Sequence, residues 1–157
     1  MSVTLVPMTP DAFAAWIDAI VAAYAGDKVR VGTWAADEAL ERSRRAFDEL
    51  LPDGLATAGH ELRSIVAEDG TSVGVLWFAP NDEMRGAVAF IYDIEIDEAH
   101  RGRGYGRAAL EALEPLARSL GFDSIGLHVF GDNDVARGLY RSAGYVETDI
   151  TMRKSIG

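Results

Sequence analysis

The first third of the chain carries apolar residues at helical spacing. Thr9-Pro10-Asp11 has the composition of a helix start, because a hydroxyl caps the helix, proline fits its first turn and an acid favours its positive end. The apolar residues that follow lie three or four positions apart: Phe13, Trp16, Ile17, Ile20 and Tyr24. A second helix is predicted from Thr33 to Leu51, and Pro52-Asp53-Gly54 ends it as a turn. A short strand at residues 3–6 precedes both helices, and residues 55–60 form a loop.

The spacing changes to that of strands in the middle of the chain. Residues 62–68 and 73–79 are predicted strands, and the Asp69-Gly70 dipeptide between them is a strong hairpin signal. Residues 87–96 form a third strand that is mostly apolar, as expected of a central strand covered on both faces.

The last third alternates between the two patterns. A helix with apolar positions at 110, 113, 116 and 120 ends at Gly121, and Pro115 inside it is expected to introduce a kink. A strand at 125–130, a helix from Asn133 to Ala143 and closing strands at 145–148 and 150–154 follow. The order predicts one mixed α/β domain over residues 1–157.

Composition narrows the functional classes. The 157 residues contain 15 basic and 25 acidic side chains, a net charge of −10, and no cysteine. The acidic balance opposes nucleic-acid binding, and the lack of cysteine excludes disulfides and a thiol nucleophile. No long apolar stretch predicts a membrane span, and the N-terminus lacks the pattern of a signal peptide, so we expect a cytoplasmic location and no membrane partner.

A glycine-rich loop, Arg101-Gly102-Arg103-Gly104-Tyr105-Gly106, joins the central strand to the next helix, and Arg107 follows it. Glycines allow close approach of the backbone, and the free amides and positive dipole end of a helix attract an anion. A phosphate or pyrophosphate site is therefore predicted. The loop lies too late in the chain for a dinucleotide fold, and Gly106-Arg107-Ala108 lacks the Lys-Ser/Thr of a nucleotide P-loop. Taken alone, the spacing also fits a tight strand-to-helix turn.

A second motif lies downstream of the glycine-rich loop. The segment from Asn133 to Tyr145 reads Asn-x-x-Ala-x-x-Leu-Tyr-x-x-x-Gly-Tyr. Together with the glycine-rich loop it resembles the GCN5-related N-acetyltransferases, whose two signatures occur in this order on these element types. The resemblance is specific over residues 91–154. It implies that family's fold, a mostly antiparallel sheet splayed between strands 4 and 5 with helices on both faces.

The resemblance also implies acetyl-CoA as co-substrate. The pantetheine arm is expected to lie in the gap between the two strands and to bond main-chain groups of Ile94, Glu95 and Ile96. The amides of the loop would hold the pyrophosphate: Gly102, Arg103, Gly104, Tyr105, Gly106 and Arg107, with Arg101 adding charge. Asn133 would contact the pantetheine arm, and it is also placed to cap its helix.

The resemblance implies three catalytic contributions. Tyr140 matches the tyrosine that protonates the departing thiolate, and the Ile96 amide would stabilise the oxyanion. Asp93 and Glu95 alternate with Tyr92, Ile94 and Ile96, which places both acids on one face of the strand. Glu95 is expected nearer the acetyl group and is the preferred base, Asp93 is the other candidate, and a water relay stays open.

The acceptor is left undetermined. It is expected to be a small amine, an amino acid, an amine antibiotic or a protein N-terminus, bound by the two N-terminal helices, the loop at residues 51–60 and the closing strands. The alternative is a non-catalytic sensor that binds acyl-CoA without turnover. His60, His100 and His128 lack ligand spacing, so no metal site is predicted. Family members often dimerise, and the sequence leaves a homodimer open.

Overall fold

The computed structural model describes residues 1–157. The elements are, in order, β1 (Val3–Pro7), α1 (Pro10–Arg30), α2 (Ala39–Leu50), β2 (Glu61–Ala67), β3 (Ser72–Pro80), β4 (Val88–Ile96), α3 (Tyr105–Ser119), β5 (Ser124–Leu127) and α4 (Asp134–Ser142). Single 3-10 turns occupy Gly54–Ala56 and Glu98–His100. This order agrees with the predicted one as far as the end of α4. None of the helices combines the length and the apolar character needed to cross a bilayer.

One five-stranded sheet organises the chain in the order β1-β2-β3-β4-β5. The strands from β1 to β4 pair antiparallel, and β5 runs parallel to β4. A parallel neighbour needs a crossover connection, and α3 provides it. The predicted mostly antiparallel sheet is confirmed.

The gap between β4 and β5 follows from where their pairing stops. The last pair joins Ile91 to Leu127, whereas β4 continues to Ile96. Residues 128–130, which the sequence assigns to the strand, leave the sheet instead, so the predicted strand 125–130 is too long. The divergence exposes one edge of β4 over its last residues, and the predicted splay is confirmed.

A β-bulge interrupts β4 beside this gap. Trp77 of β3 is opposite Asp93, and the next residue, Phe78, is opposite Ile91, so Tyr92 is the additional residue on β4. An additional residue reverses the alternation of side chains along the strand.

The bulge changes which side chains share a face. Ile94 and Ile96 pack against the core on the α3 side of the sheet. Tyr92 packs on the other side, against the core formed with α1 and α2. The expected grouping of Tyr92 with the two isoleucines is therefore wrong, because the strict period of two does not hold across a bulge.

Apolar clusters cover both faces of the sheet. On one face α3 contributes Ala109, Leu110 and Leu113, which pack against β2, β3 and β4. On the other face, α1 and α2 contribute Trp16, Val21 and Phe47. The predicted placement of helices on both faces is confirmed. The cleft between β4 and β5 thus has a different helical layer on each side.

The second helix begins later than predicted, at Ala39 rather than at Thr33. The Gly32 amide donates to Val29 and the Thr33 amide donates to Lys28, which is the Schellman arrangement that ends α1. Gly32 adopts the required left-handed conformation with φ of 79°. Thr33 therefore completes the first helix instead of beginning the second.

The predicted closing strands at 145–148 and 150–154 are absent. No backbone amide from Val146 onward donates a hydrogen bond to another backbone group, and this segment has no regular structure. Its large apolar side chains are exposed: Val146, Ile150, Met152 and Ile156. A strand requires hydrogen bonds to a neighbouring edge, and the apolar pattern alone does not supply that partner.

Candidate functional site

An open cleft of about 150 Å³ lies where β4 and β5 diverge. Residues 91–94 of β4 form one wall, and residues 127–130 form the other. Asn133, Ala136 and Tyr140 of the α4 region close one side. The cleft thus brings together the end of the central strand and the second sequence motif, which are separated by about forty residues in the chain.

The glycine-rich loop lies at the end of β4 and begins α3. Gly102 and Gly104 have φ of 74° and 89°, a conformation that side chains disfavour, and Gly104 is the N-cap residue of α3. None of the amides from residue 102 to residue 107 donates to a backbone carbonyl. A run of free amides at the positive end of a helix is a site for a phosphate or pyrophosphate group.

Gly106 has a different role from the other two glycines. It lies within the first turn of α3, where a Cβ atom would approach Leu139 Cδ2 to 3.2 Å. Leu139 belongs to the second motif, so this contact packs the start of α3 against α4. Gly106 therefore links the two motifs by close packing.

The arginines around the loop have distinct partners. The Arg101 Nε donates to the Ile96 carbonyl at 2.8 Å and supports the end of β4. Arg107 donates to the side chain and the carbonyl of Ser142, at the end of α4. Arg103 forms no salt bridge in the structure, so its charge is available to an anion at the loop.

Asp93 and Glu95 face the same side of β4, as predicted, but their surroundings differ. Burial raises the pKa of Asp93 to about 7, the hydrogen bond from Trp16 opposes that rise, and the nearby charge of Glu95 adds to it. The Trp16 Nε1 donates to Asp93 Oδ2 at 3.0 Å. Glu95, by contrast, is half-exposed and lies 4.0 Å from the Arg101 guanidinium. Only Asp93 lines the cleft.

Tyr140 projects from α4 into the cleft. Burial raises the pKa of its hydroxyl, and the charge of Asp93 raises it further, so Tyr140 is protonated at neutral pH. Its ring packs at 5.8 Å from that of Tyr145. A phenol that holds its proton beside a carboxylate with a pKa near neutrality is an arrangement suited to acid–base chemistry.

Asn133 is both a cleft residue and a helix cap. Its side-chain oxygen accepts a hydrogen bond from the Ala136 amide at 3.1 Å, which satisfies one free amide at the start of α4. The Asn133 NH₂ group has no hydrogen-bond partner within the chain. The two expected uses of Asn133 are therefore compatible.

The geometry agrees with one family of enzymes. The profile of the Acetyltransferase (GNAT) family matches residues 17–145, which is most of the chain. This chain belongs to the GNAT family. It is an N-acetyltransferase by that membership, as are its named relatives.

Relatives support the assignment over the whole chain. The uncharacterized N-acetyltransferase YycN of Bacillus subtilis (strain 168) is 40% identical over 156 residues, which cover 99% of this chain and 100% of YycN. The mycothiol acetyltransferase of Propionibacterium freudenreichii is 35% identical over 121 residues, which cover 76% of this chain and 36% of that protein.

Solved structures agree with the fold. The crystal structure of YycN superposes with a TM-score of 0.91 at 39% identity and covers 99% of both chains. The structure of AAC(6′)-Iy, in complex with the bisubstrate analogue CoA-S-monomethyl-acetylneamine, has a TM-score of 0.60 at 16% identity, and the match covers 99% of this chain and 100% of that one. The second likeness concerns the fold alone.

Two residues of this acetyltransferase's site lie outside the sequence predictions. Trp16 belongs to the apolar stripe of α1, yet its indole N–H contacts Asp93. Gly74 of β3 lies so close to β4 that a Cβ atom would be 2.2 Å from the Glu95 carbonyl oxygen. A glycine inside a strand signals such an approach, but the Trp16 contact has no local signal because 77 positions separate the partners.

Proposed function

We propose that this protein transfers the acetyl group of acetyl-CoA to a primary amine by direct attack within a ternary complex. The observation that carries the proposal is the cleft between β4 and β5, which opens beside six consecutive free amides. An unpaired strand edge suits an extended amide-bearing arm, and free amides suit a pyrophosphate. The residues present therefore fit acetyl-CoA.

Main-chain groups hold this co-substrate in the proposal. Ile94, Glu95 and Ile96 offer the edge of β4 to the pantetheine arm, and Asn133 approaches it from α4. The amides of residues 102–107 bind the pyrophosphate, with the charges of Arg101 and Arg103 nearby. Acetyl-CoA supplies an acetyl group on a thioester, whose carbonyl carbon is the electrophile.

Asp93 and Tyr140 exchange the protons. A primary ammonium with a pKa of ~10 must lose a proton before its nitrogen attacks the carbonyl carbon. Asp93 accepts this proton, the Ile96 amide donates to the developing oxyanion, and Tyr140 donates a proton to sulfur as the carbon–sulfur bond breaks. The products are the amide and the free thiol. The burial and raised pKa of Asp93 support it over Glu95, which the sequence favours.

The pH dependence of the E95Q and D93N variants distinguishes the two acids. If Asp93 is the base, D93N removes the limb of the kcat/KM profile near pH 7. E95Q moves that limb to lower pH, because the Glu95 charge raises the pKa of Asp93. If Glu95 is the base, E95Q removes the limb. If water relays the proton without either acid, neither profile changes.

Acceptor identity is proposed only as a class. The net charge of −10 favours a cationic amine, and candidates are a small amine, an amino acid, an amine antibiotic or a protein N-terminus. Similar proteins vary in this respect, since one is named for mycothiol and another binds an acetylneamine-linked CoA analogue. A panel of these amines in a thiol-release assay identifies the acceptor.

Two measurements test the function as a whole. Calorimetry should detect acetyl-CoA binding at micromolar concentration, and its absence would overturn the proposal. Binding without thiol release over the whole amine panel would instead favour the acyl-CoA sensor. A protonated Tyr140 and an Asp93 with a raised pKa, which a sensor does not need, favour the enzyme.

A further inference from the structure

A hydrogen bond between Trp16 and Asp93 joins α1 to the central strand β4. Trp16 lies in the first half of α1, and its indole Nε1 donates to Asp93 Oδ2 at 3.0 Å. Asp93 Oδ1 has no hydrogen-bond partner within the chain, and Asp93 lines the cleft. One carboxylate oxygen is therefore held by the fold while the other is free for a bound molecule.

Packing fixes the position of the donor. Trp16 is buried and contacts the Trp77 ring edge-on, with the ring centroids 5.4 Å apart and an interplanar angle of 84°. The Phe13 ring also contacts it, with centroids 5.8 Å apart. A buried side chain in contact with two rings has little rotational freedom, so the direction of its N–H group is set before any substrate binds.

We propose that Trp16 is a positioning residue, which orients the Asp93 carboxylate so that Oδ1 faces the attacking amine. The inference rests on the proposed function only for its catalytic consequence. The link between Trp16 and the ionisation of Asp93 is independent of turnover. An indole N–H donates more strongly to a carboxylate than to a carboxylic acid, so the contact also favours the ionised form.

Three other groups bear on the same carboxylate. Glu95 shares its strand and raises the pKa of Asp93, whereas Tyr140 on α4 and His128 after β5 line the cleft with it. Removing the Trp16 N–H removes a contact that lowers the pKa of Asp93, so the pKa rises further. A base with a higher pKa is protonated, and inactive, over a wider range of pH.

Nuclear magnetic resonance tests the link in the native protein. Each of the three tryptophans has one indole N–H signal. The Trp16 signal should move with a midpoint near pH 7 and stop moving in D93N. The Trp34 signal should stay constant, and the Trp77 signal should respond at lower pH, because its indole donates to His60 and burial lowers the pKa of that imidazole. A Trp16 signal that is constant from pH 4 to 9, or that moves equally in D93N, would overturn the inference.

The variant Trp16→Phe tests the catalytic consequence, with Trp34→Phe as its matched control. In W16F we expect the acidic limb of kcat/KM to move up by roughly one pH unit and the plateau to fall about tenfold, as loss of a hydrogen bond to a charged group predicts. W34F should keep the native profile. An unshifted limb in a folded W16F protein contradicts the positioning role. If W16F does not fold, the indole titration of the native protein tests the inference instead. If no amine is acetylated, the proposed function fails, but the titration still tests the contact between Trp16 and Asp93.

Discussion

At the scale of single residues, the two candidate bases of this protein lie two positions apart on β4. Asp93 is partly buried and held by Trp16, whereas Glu95 is half-exposed and lies beside Arg101. Desolvation raises the pKa of the first to about 7, whereas the second keeps its contact with solvent. Two carboxylates on the same face of β4 therefore have different surroundings, because Glu95 lies two residues nearer the end of the strand than Asp93.

Asp93 should make the stability of the protein depend on pH. Its pKa is about 7 in the folded chain and 3.8 when unfolded, so the folded state binds more protons between these values. The contribution of Asp93 to the free energy of unfolding then falls as the pH rises from about 4 to 7, by at most roughly 4 kcal/mol. Urea denaturation across this range should show that the native protein loses stability relative to D93N as the pH rises. Equal slopes in the two proteins would contradict the raised pKa.

Gly74 should matter more than its position on β3 suggests. A Cβ atom there meets the Glu95 carbonyl at 2.2 Å, so Gly74→Ala must displace the backbone of β4 next to Ile96. We expect a loss of about 1–3 kcal/mol in the free energy of unfolding and weaker acetyl-CoA binding by calorimetry.

The matched control for this change is Gly26→Ala. Gly26 lies in α1 with no atom within 4 Å of an added Cβ, so the change should stabilise the protein by ~0.5–1 kcal/mol. Native acetyl-CoA affinity in G74A would show that β4 tolerates the displacement.

At the scale of elements, the candidate site is formed by the first turns of α3 and α4 and by the bulge in β4. The bulge at Tyr92 turns that ring toward α1 and α2, where it stacks on Trp77 with centroids 4.8 Å apart. The start of α3 offers free amides, and the start of α4 is capped by a residue of the cleft. Each irregularity lies where the proposed co-substrate must be bound.

Asn133 allows the cap and the ligand contact of α4 to be separated. Asn133→Asp keeps an oxygen for the Ala136 amide but removes the NH₂ donor, so it should retain stability and weaken acetyl-CoA binding. Asn133→Ala removes both and should also lose about 1 kcal/mol of stability. Thermal denaturation and calorimetry measure the two effects. Equal acetyl-CoA affinity in N133D and the native protein would restrict Asn133 to its capping role.

At the scale of the whole molecule, the negative net charge suits a cationic amine, and a local group of arginines suits the anionic co-substrate. The chain has a net charge of −10, yet three arginines surround the loop proposed for the pyrophosphate. A negative surface raises the local concentration of cations, and arginines with free amides provide a local site for an anion. The same molecule can therefore attract a cationic amine and a polyanionic co-substrate to adjacent places.

The ionic strength should therefore affect kcat/KM more strongly for a cationic acceptor than for a neutral one. For a polycationic amine, kcat/KM should fall several-fold as ionic strength rises from about 0.01 to 0.5 M, because screening shortens the reach of the surface field. An amino acid with no net charge should show a much smaller change under the same saturating acetyl-CoA. Parallel curves for the two acceptors would show that the negative surface does not guide the amine.

The sequence by itself determined the order of elements up to α4, the mixed sheet and the glycine-rich start of α3. These follow from local causes: the apolar spacing of α1 and α3, the Asp69-Gly70 hairpin, and glycines at positions with positive φ. The family motifs extended the prediction to Asn133 and Tyr140 in one cleft. Apolar spacing was insufficient at the C-terminus, where the segment after Tyr145 has a strand-like pattern without a pairing edge.

The tertiary structure alone decided which acid is the less exposed, because burial depends on elements distant in sequence. Trp16 reaches Asp93 across 77 positions, and no local pattern encodes that contact. The bulge at Tyr92 and the close approach of Gly74 likewise arise from the register between β3 and β4. The sequence thus specifies which functional groups are present, whereas packing sets the pKa and the orientation on which their proposed roles depend.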